Sequence, residues 1–139
     1  MKVAILVDTG ALYALADETD RWHQPVKAFL ERHPDPLILP VTVLPETCYL
    51  LNVYLGQEAE RRFVASAARG ELILEAVTPA DLRRCLELLE TYADANIGFV
   101  DASLVAIAER LNVRRLLTTD RRDFSLIRPR HCPALELLP

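Results

Sequence analysis

Short apolar runs that alternate with helical segments constrain the fold of this chain more than any other feature of its sequence. The first run, 3–7, is continuous, rich in β-branched residues and not alternating, as in a strand that is buried on both faces. Strands of this kind that are separated by helices form a parallel sheet with helices on both sides. The sequence therefore predicts an α/β fold, a three-layer α/β/α sandwich on a parallel sheet, with strands over 3–7, 37–39, 71–77, 115–118 and 134–137.

The helices between these strands are predicted from the spacing of apolar residues and from residues that begin or end helices. Asp8 is a candidate N-cap for the first helix, and Thr78 with Pro79 combines an N-cap with a proline at the first helical position. Gly56 ends a helix, as glycine often does. The predicted helices cover 9–16, 20–32, 42–55, 57–68, 78–93 and 100–111.

The size and composition of the chain predict one cytoplasmic domain over residues 1–139. With 51% hydrophobic residues, a chain of 139 residues can bury a substantial core. The apolar stretches are short and interrupted by charge, so we expect no membrane span, and the 3–7 run is too short for a signal peptide. Three cysteines without a CxxC pair favour a reduced protein.

The charge of the chain is unevenly distributed. Between 110 and 139, seven arginines and three acids give the segment a charge of +4; the whole chain carries −4, so the remainder carries −8. An arginine-rich segment on an acidic body can hold a phosphate backbone locally. The alternative is an ordinary solvated surface in a chain that uses arginine in place of lysine, and the charge pattern alone does not decide between the two.

Four acidic residues fall where a parallel sheet gathers the carboxyl ends of its strands, which is where open α/β sheets bind ligands. Asp8 ends the first strand, Asp120 follows the 115–118 strand, and Glu46 lies in the first turn after the second strand. Asp101 joins them if its helix begins at the same edge. Singly, each acid also has a structural interpretation: a helix cap for Asp8, a favourable helix-dipole position for Glu46 and Asp101, and a turn for Asp120.

Together these carboxylates predict a cation site. Two carboxylates at ~4 Å repel by about 4 kcal/mol at an effective dielectric of 20, so a cluster of them must take up protons or hold a cation. Ligands that are all oxygen select Mg²⁺ or Mn²⁺, and such an ion suits phosphate chemistry. The sequence contains no GxSxG nucleophile, no GxGxxG and no P-loop motif.

Four segments, in this order, resemble the PIN-domain nucleases and most closely the VapC-type toxins of prokaryotic toxin–antitoxin pairs: LVDTGALYALAD, PVTVLPETCYLL, GFVDASLVAIAERL and LLTTDRRDF. The resemblance covers essentially the whole chain. It implies a PIN-like fold and a Mg²⁺- or Mn²⁺-dependent endoribonuclease that cleaves RNA phosphodiesters with metal-activated water. Asp8, Glu46, Asp101 and Asp120 match the family's acidic quartet as catalytic residues and metal ligands, and Asp8 and Asp101 match the acids most directly tied to the metal.

The resemblance also implies roles for residues around the quartet. Thr9 and Thr118 match small hydroxyl positions near the family's site, where they would contact phosphate or support the metal ligands. Asp123 would be either a fifth, outer acid or the ion-pair partner of a neighbouring arginine. The predicted contacts to the RNA backbone are Arg115, Arg121 and Arg122.

Three partners follow from the same resemblance: the RNA substrate, a small antitoxin protein that covers the site, and a second copy of the chain in a homodimer. The apolar excess in 22–55 could form an interface or simply a well-packed core, and periodicity does not separate these. An alternative to the nuclease is a non-catalytic PIN-like binding module that acts only through a protein or RNA partner.

Overall fold

The computed structural model describes residues 4–139, and the first residue of the predicted 3–7 strand lies outside this range. Five strands form one sheet in the order β3-β2-β1-β4-β5, and every neighbouring pair is parallel. In the centre of the sheet, Leu6 pairs with Ile38 on one side and with Leu116 on the other. The strands are β1 Ile5–Val7, β2 Leu37–Pro40, β3 Ile73–Glu75, β4 Arg115–Leu117 and β5 Glu136–Leu138.

Helices connect and flank the strands, which confirms the predicted α/β class. One packed group contains α1, α2, α3 and α4, and another contains α5 and α6. The helices are α1 Thr9–Ala16, α2 His23–Arg32, α3 Val43–Leu55, α4 Gln57–Ala68, α5 Pro79–Thr91, α6 Phe99–Leu111 and α7 Arg121–Leu126, with a short 3-10 turn at Ala93–Ala95. None of the helices formed by residues 4–139 combines the length and apolar character that a bilayer crossing requires.

The core lies between the central strands and α6. The side chains of β1 and the end of β4 are almost fully buried, and so is every residue of α6 from Ala102 to Ala108. A helix buried on this much of its surface is fixed in depth and rotation, because both faces have partners. This packing also fixes the first turn of α6, where Asp101 lies.

Local capping explains where the flanking helices begin. The Thr78 side chain accepts a hydrogen bond from the Asp81 backbone N–H, and the Asp81 side chain accepts one from the Thr78 N–H, so a capping box opens α5. Gly56, with φ of 99°, separates α3 from α4, because its left-handed backbone is one that glycine adopts without strain.

The structure differs from the sequence-based expectations at several element ends. The predicted 20–32 helix begins at His23, because Asp20 Oδ1 accepts a hydrogen bond from the Trp22 N–H and forms a turn there. The predicted 42–55 helix begins one residue later, at Val43, and the hydroxyl of Thr42 bonds to Ser103 at 2.7 Å and does not cap the helix. Helix α7 was not predicted, and its first residues had been interpreted as a turn.

Candidate metal site

The central strands bring Asp8 and Asp120 to one edge of the sheet. Strands β1 and β4 are parallel neighbours, and the Asp8 backbone N–H donates to the Leu117 carbonyl at 3.0 Å. Thr118 follows β4 directly, and its Oγ1 accepts a hydrogen bond from the Asp120 N–H at 3.0 Å. The carboxyl ends of these strands therefore meet as the parallel topology predicts.

Asp8 is a buried carboxylate, with 6% of its surface exposed. Its Oδ1 accepts a hydrogen bond from the Thr9 N–H at 2.7 Å, and its Oδ2 accepts one from Thr118 Oγ1 at 2.9 Å. Burial raises the pKa of Asp8 to about 6 against the lowering effect of these two hydrogen bonds, and the charges of Glu46 and Asp120 add to the rise. The two hydrogen bonds therefore fix the direction of the Asp8 side chain, and its burial disfavours the charged form.

Three further carboxylates converge beside it. One carboxylate oxygen from each of Asp101, Asp120 and Asp123 lies within 4.8 Å of the other two. Asp120 is the N-cap of α7, and its side chain accepts hydrogen bonds from the N–H groups of Arg122 and Asp123. Asp123 lies in the first turn of this short helix, and its carboxylate is therefore held close to that of Asp120.

Asp101 is the most strongly perturbed acid of the group. Burial, a hydrogen bond with Asp123 and the charges of Asp8, Asp120 and Asp123 together raise the pKa of Asp101 to about 8. Two carboxyl groups in hydrogen-bond contact share a proton because both cannot be charged at that distance. Without a cation, the Asp101 carboxyl therefore binds a proton more readily than an ordinary aspartate does.

Glu46 flanks this group from α3. It lies in the first turn of that helix, its side chain is exposed, and its charge raises the pKa of Asp8. The bond between Thr42 and Ser103 ties the start of α3 to the start of α6, which carries Asp101. No local sequence pattern indicates this tie, since the two hydroxyls are 61 residues apart.

The residues present fit a hard divalent cation. All the ligand atoms are carboxylate oxygens. Burial and the neighbouring acids raise the pKa values of Asp8 and Asp101, so a cation that offsets the cost of charging these groups would be favoured. Thr9 is 4% exposed, and its Oγ1 has no hydrogen-bond partner within residues 4–139. A buried hydroxyl without a partner costs about 1–3 kcal/mol, so a polar ligand that bonded to Thr9, the neighbour of Asp8 in the chain, would be favoured.

The predicted arginines occupy different places. Arg121 and Arg122 are exposed in the first turn of α7, next to Asp120, and Arg122 Nη1 lies 3.3 Å from Asp123 Oδ1. Arg115, in contrast, begins β4 and lies at the opposite end of that strand from the acids, paired with Asp35 at 3.3 Å. The structure therefore brings Asp101, Asp120 and Asp123 together and links Asp8 to Asp120 through Thr118, whereas Arg115 lies away from this group.

The match to known proteins agrees with this architecture. The chain matches the family model of the PIN domain over residues 5–128, and it belongs to that family. Over 125 residues it is 32% identical to ribonuclease VapC26 of Mycobacterium tuberculosis, and this match covers 90% of this chain and 93% of that protein. The resemblance to PIN-domain proteins of the VapC type is thus confirmed.

Two solved structures show the same fold. The crystal structure of Mycobacterium tuberculosis VapC20, a sarcin–ricin loop cleaving toxin, has a TM-score of 0.83 and 26% identity, and the match covers 93% of this chain and 98% of that chain. VapBC2 from Rickettsia felis, bound to a DNA fragment from its promoter, has a TM-score of 0.69 at 16% identity, with 97% of each chain covered. The second similarity concerns the fold alone.

Proposed function

We propose that this protein is a divalent-metal-dependent endoribonuclease and the toxin of a type II toxin–antitoxin pair. The observation that supports this most is the convergence of the Asp101, Asp120 and Asp123 carboxylates within 4.8 Å of one another beside the buried Asp8. The names of two relatives, a ribonuclease and a sarcin–ricin loop cleaving toxin, support RNA as the substrate.

In this proposal Asp101, Asp120 and Asp123 hold Mg²⁺ or Mn²⁺, and Asp8 adjoins them. When bound, the ion lowers the pKa of a water molecule and neutralises charge that develops on the phosphate. Thr118 keeps Asp8 and the Asp120 backbone in register through its single hydroxyl. Glu46 is exposed at the margin of the site, where its carboxylate can ligate or take a proton from the attacking water.

The RNA backbone would be held by Arg121 and Arg122. Both are exposed and follow the metal-holding Asp120 directly along α7, so a phosphate at the cation would lie within their reach. Binding through such phosphate contacts weakens as salt rises. Arg115 has no part in this proposal, because it lies at the other end of its strand.

The partners proposed are an antitoxin and a second copy of the chain. An apolar cavity of about 320 Å³ opens between α1, α2 and α4, lined by Leu12, Leu15, Leu30 and Phe63 among others. An apolar segment of an antitoxin would fill it. The homodimer stays a prediction that light scattering of the purified chain tests.

The proposal is tested by incubating the purified protein with total RNA in Mg²⁺ or in EDTA. We expect cleavage only with Mg²⁺, and Asp101→Asn should reduce it by more than about 100-fold while leaving the fold intact by circular dichroism. Asp94→Asn is the matched control, since Asp94 is an exposed aspartate in the 3-10 turn. Equal cleavage by the two variants would contradict the site. No Mn²⁺ binding at millimolar metal would instead favour a non-catalytic module.

A further inference from the structure

The corner between α1 and α2 presents a partly exposed indole that contacts the first residue of α7. Trp22 is the only tryptophan of the chain and lies at the N-cap position of α2. Its backbone N–H donates to Asp20 Oδ1 at 2.8 Å. The next residue, His23, is buried, and its Nδ1 lies 2.8 Å from the Ala14 carbonyl oxygen of α1. The corner is therefore held from both sides, and the ring is placed before any ligand arrives.

Two arginines lie over this ring. The Cζ atoms of Arg21 and Arg121 are each 5.4 Å from the centre of the Trp22 ring, within the range of a cation–π interaction. Both arginines are exposed. Within residues 4–139 these are the only arginines placed over an aromatic side chain, so the arrangement is particular to this corner.

One of the two arginines connects the indole to the metal-holding acids. Arg121 is the first residue of α7, and the residue before it is Asp120, whose carboxylate belongs to the set within 4.8 Å. The Arg121 Nη2 also donates to the Pro139 carbonyl oxygen at 2.8 Å, so this one residue links the indole to the segment that carries Asp120. A chain of nucleotides that places one phosphate at the cation has a neighbouring base within reach of the ring.

We propose that Trp22 stacks on an unpaired nucleobase next to the scissile phosphate, an inference that rests on the proposed ribonuclease function. A nucleobase and a guanidinium are both flat groups that can lie on the face of an indole ring. An incoming base can therefore replace Arg21 or Arg121 on the Trp22 ring. The displaced guanidinium then has a phosphate to bind. RNA recognition commonly uses unpaired bases stacked on aromatic side chains, and this makes Trp22 a specificity-determining residue for single-stranded or looped RNA.

The fluorescence of the protein reports on this contact directly, because Trp22 is its only tryptophan. The wild-type protein is titrated in EDTA with an unpaired RNA oligonucleotide of about ten nucleotides, a length within the ssRNA site sizes of single-strand binding folds. We expect the RNA to quench the fluorescence, and an abasic oligonucleotide of equal length and charge to leave it nearly unchanged. Equal quenching by both, or none by either, would overturn the inference.

A kinetic experiment tests the same contact through cleavage. Trp22→Ala should lower kcat/KM on unpaired RNA by roughly 5- to 100-fold, the loss expected for one base–aromatic stack. Trp22→Phe should recover most of it, and the Kd of Trp22→Ala for Mn²⁺ should equal that of the wild type, since the ring is not a ligand. Wild-type rates for Trp22→Ala would overturn the inference.

The two experiments also separate this inference from the function it rests on. If the wild type cuts no RNA in Mg²⁺ or Mn²⁺, the proposed function fails, and the titration in EDTA still decides on base binding. If the wild type cuts RNA and the fluorescence does not distinguish the abasic oligonucleotide, the function stands and the role of Trp22 falls.

Discussion

Asp8 uses its two carboxylate oxygens for different purposes. Oδ1 accepts the hydrogen bond that begins α1, and Oδ2 accepts one from Thr118 on the neighbouring strand. A helix cap and a member of a charged site are therefore compatible roles for one side chain. Because the cap fixes its direction, the Asp8 carboxylate would act in the proposed site without the entropy cost of a freely rotating group.

Gly10, two residues further on, gives the first residue-scale prediction. A Cβ atom at this position would overlap with Thr119 Oγ1, although it would lie 3.5 Å from Thr119 Cβ, an ordinary contact. Gly10→Ala should therefore destabilise the protein by about 1–2 kcal/mol, since overpacking outweighs the gain of about 1 kcal/mol from alanine in a helix. The measurement is urea unfolding followed by circular dichroism.

The double variant Gly10→Ala/Thr119→Ala supplies the control for this prediction. Removing the Thr119 hydroxyl removes the overlap, so alanine at position 10 should become neutral or stabilising relative to Thr119→Ala alone. The same penalty in both backgrounds would show that the overlap is not the cause.

At the residue scale, the sequence anticipated the chemistry better than the geometry. Asp8 and Asp120 are placed by strand ends, which a parallel sheet brings together whatever the loops do. The sequence does not decide whether Asp123 is an outer acid or an arginine partner, and the structure shows it in both settings, close to Asp101 and Asp120 and 3.3 Å from Arg122. That outcome depends on the direction of α7, which no short pattern defines.

Helix α7 shows why single elements escaped prediction. It has only six residues, Arg121–Leu126, too few for an apolar period to emerge, and its arginines look like those of an exposed turn. The one available indication was Asp120 itself, a good N-cap with Asp123 in the following turn. The Trp22 corner had no local indication, because it is defined by contact with α7.

The double role of Asp120 leads to a prediction at the element scale. Asparagine caps helices as well as aspartate does, whereas alanine does not. Asp120→Asn and Asp120→Ala remove the same negative charge, so both should lose most Mn²⁺ affinity by calorimetry. In EDTA, however, Asp120→Ala should be less stable than Asp120→Asn by about 1 kcal/mol, the value of a cap.

Comparing the two variants with each other cancels the relief of charge repulsion, which both share. The difference in their free energies of unfolding then reports the cap alone, through the bonds from the Arg122 and Asp123 N–H groups. Identical stability would mean that these bonds contribute nothing, and retained Mn²⁺ affinity in either variant would remove Asp120 from the proposed ligands.

For the whole molecule, the sheet order explains how a stable α/β fold accommodates an unfavourable cluster. The buried strands and α6 form a close-packed core that fixes the positions of the surrounding elements. The acids lie at the ends of these elements, so they cannot move apart to relieve the repulsion between them. Arg115 illustrates the limit of reasoning from charge: its segment is arginine-rich, yet strand direction places it away from the acids. Sequence composition does not encode which end of a strand a residue occupies.

The same stored repulsion makes stability depend on pH. The pKa values of Asp8 and Asp101 are raised from 3.8 to about 6 and about 8, respectively. Between pH 3.8 and about pH 8, the folded protein therefore binds protons more tightly than the unfolded chain does. Their contribution to stability is therefore complete below about pH 4 and is lost as pH rises through 6 and then 8. In EDTA, the free energy of unfolding should fall from pH 5 to pH 8.

A bound cation replaces those protons, so the stabilisation by Mn²⁺ should grow over the same pH range. Thermal unfolding at pH 5, 6.5 and 8, with EDTA or with Mn²⁺, measures both effects. Asp101→Asn is the control that isolates this carboxyl: its fall in stability between pH 6.5 and 8 in EDTA should be smaller than that of the wild type. An unchanged fall in this variant, or a Mn²⁺ effect independent of pH, would show that protons and cation do not compete for this group of acids.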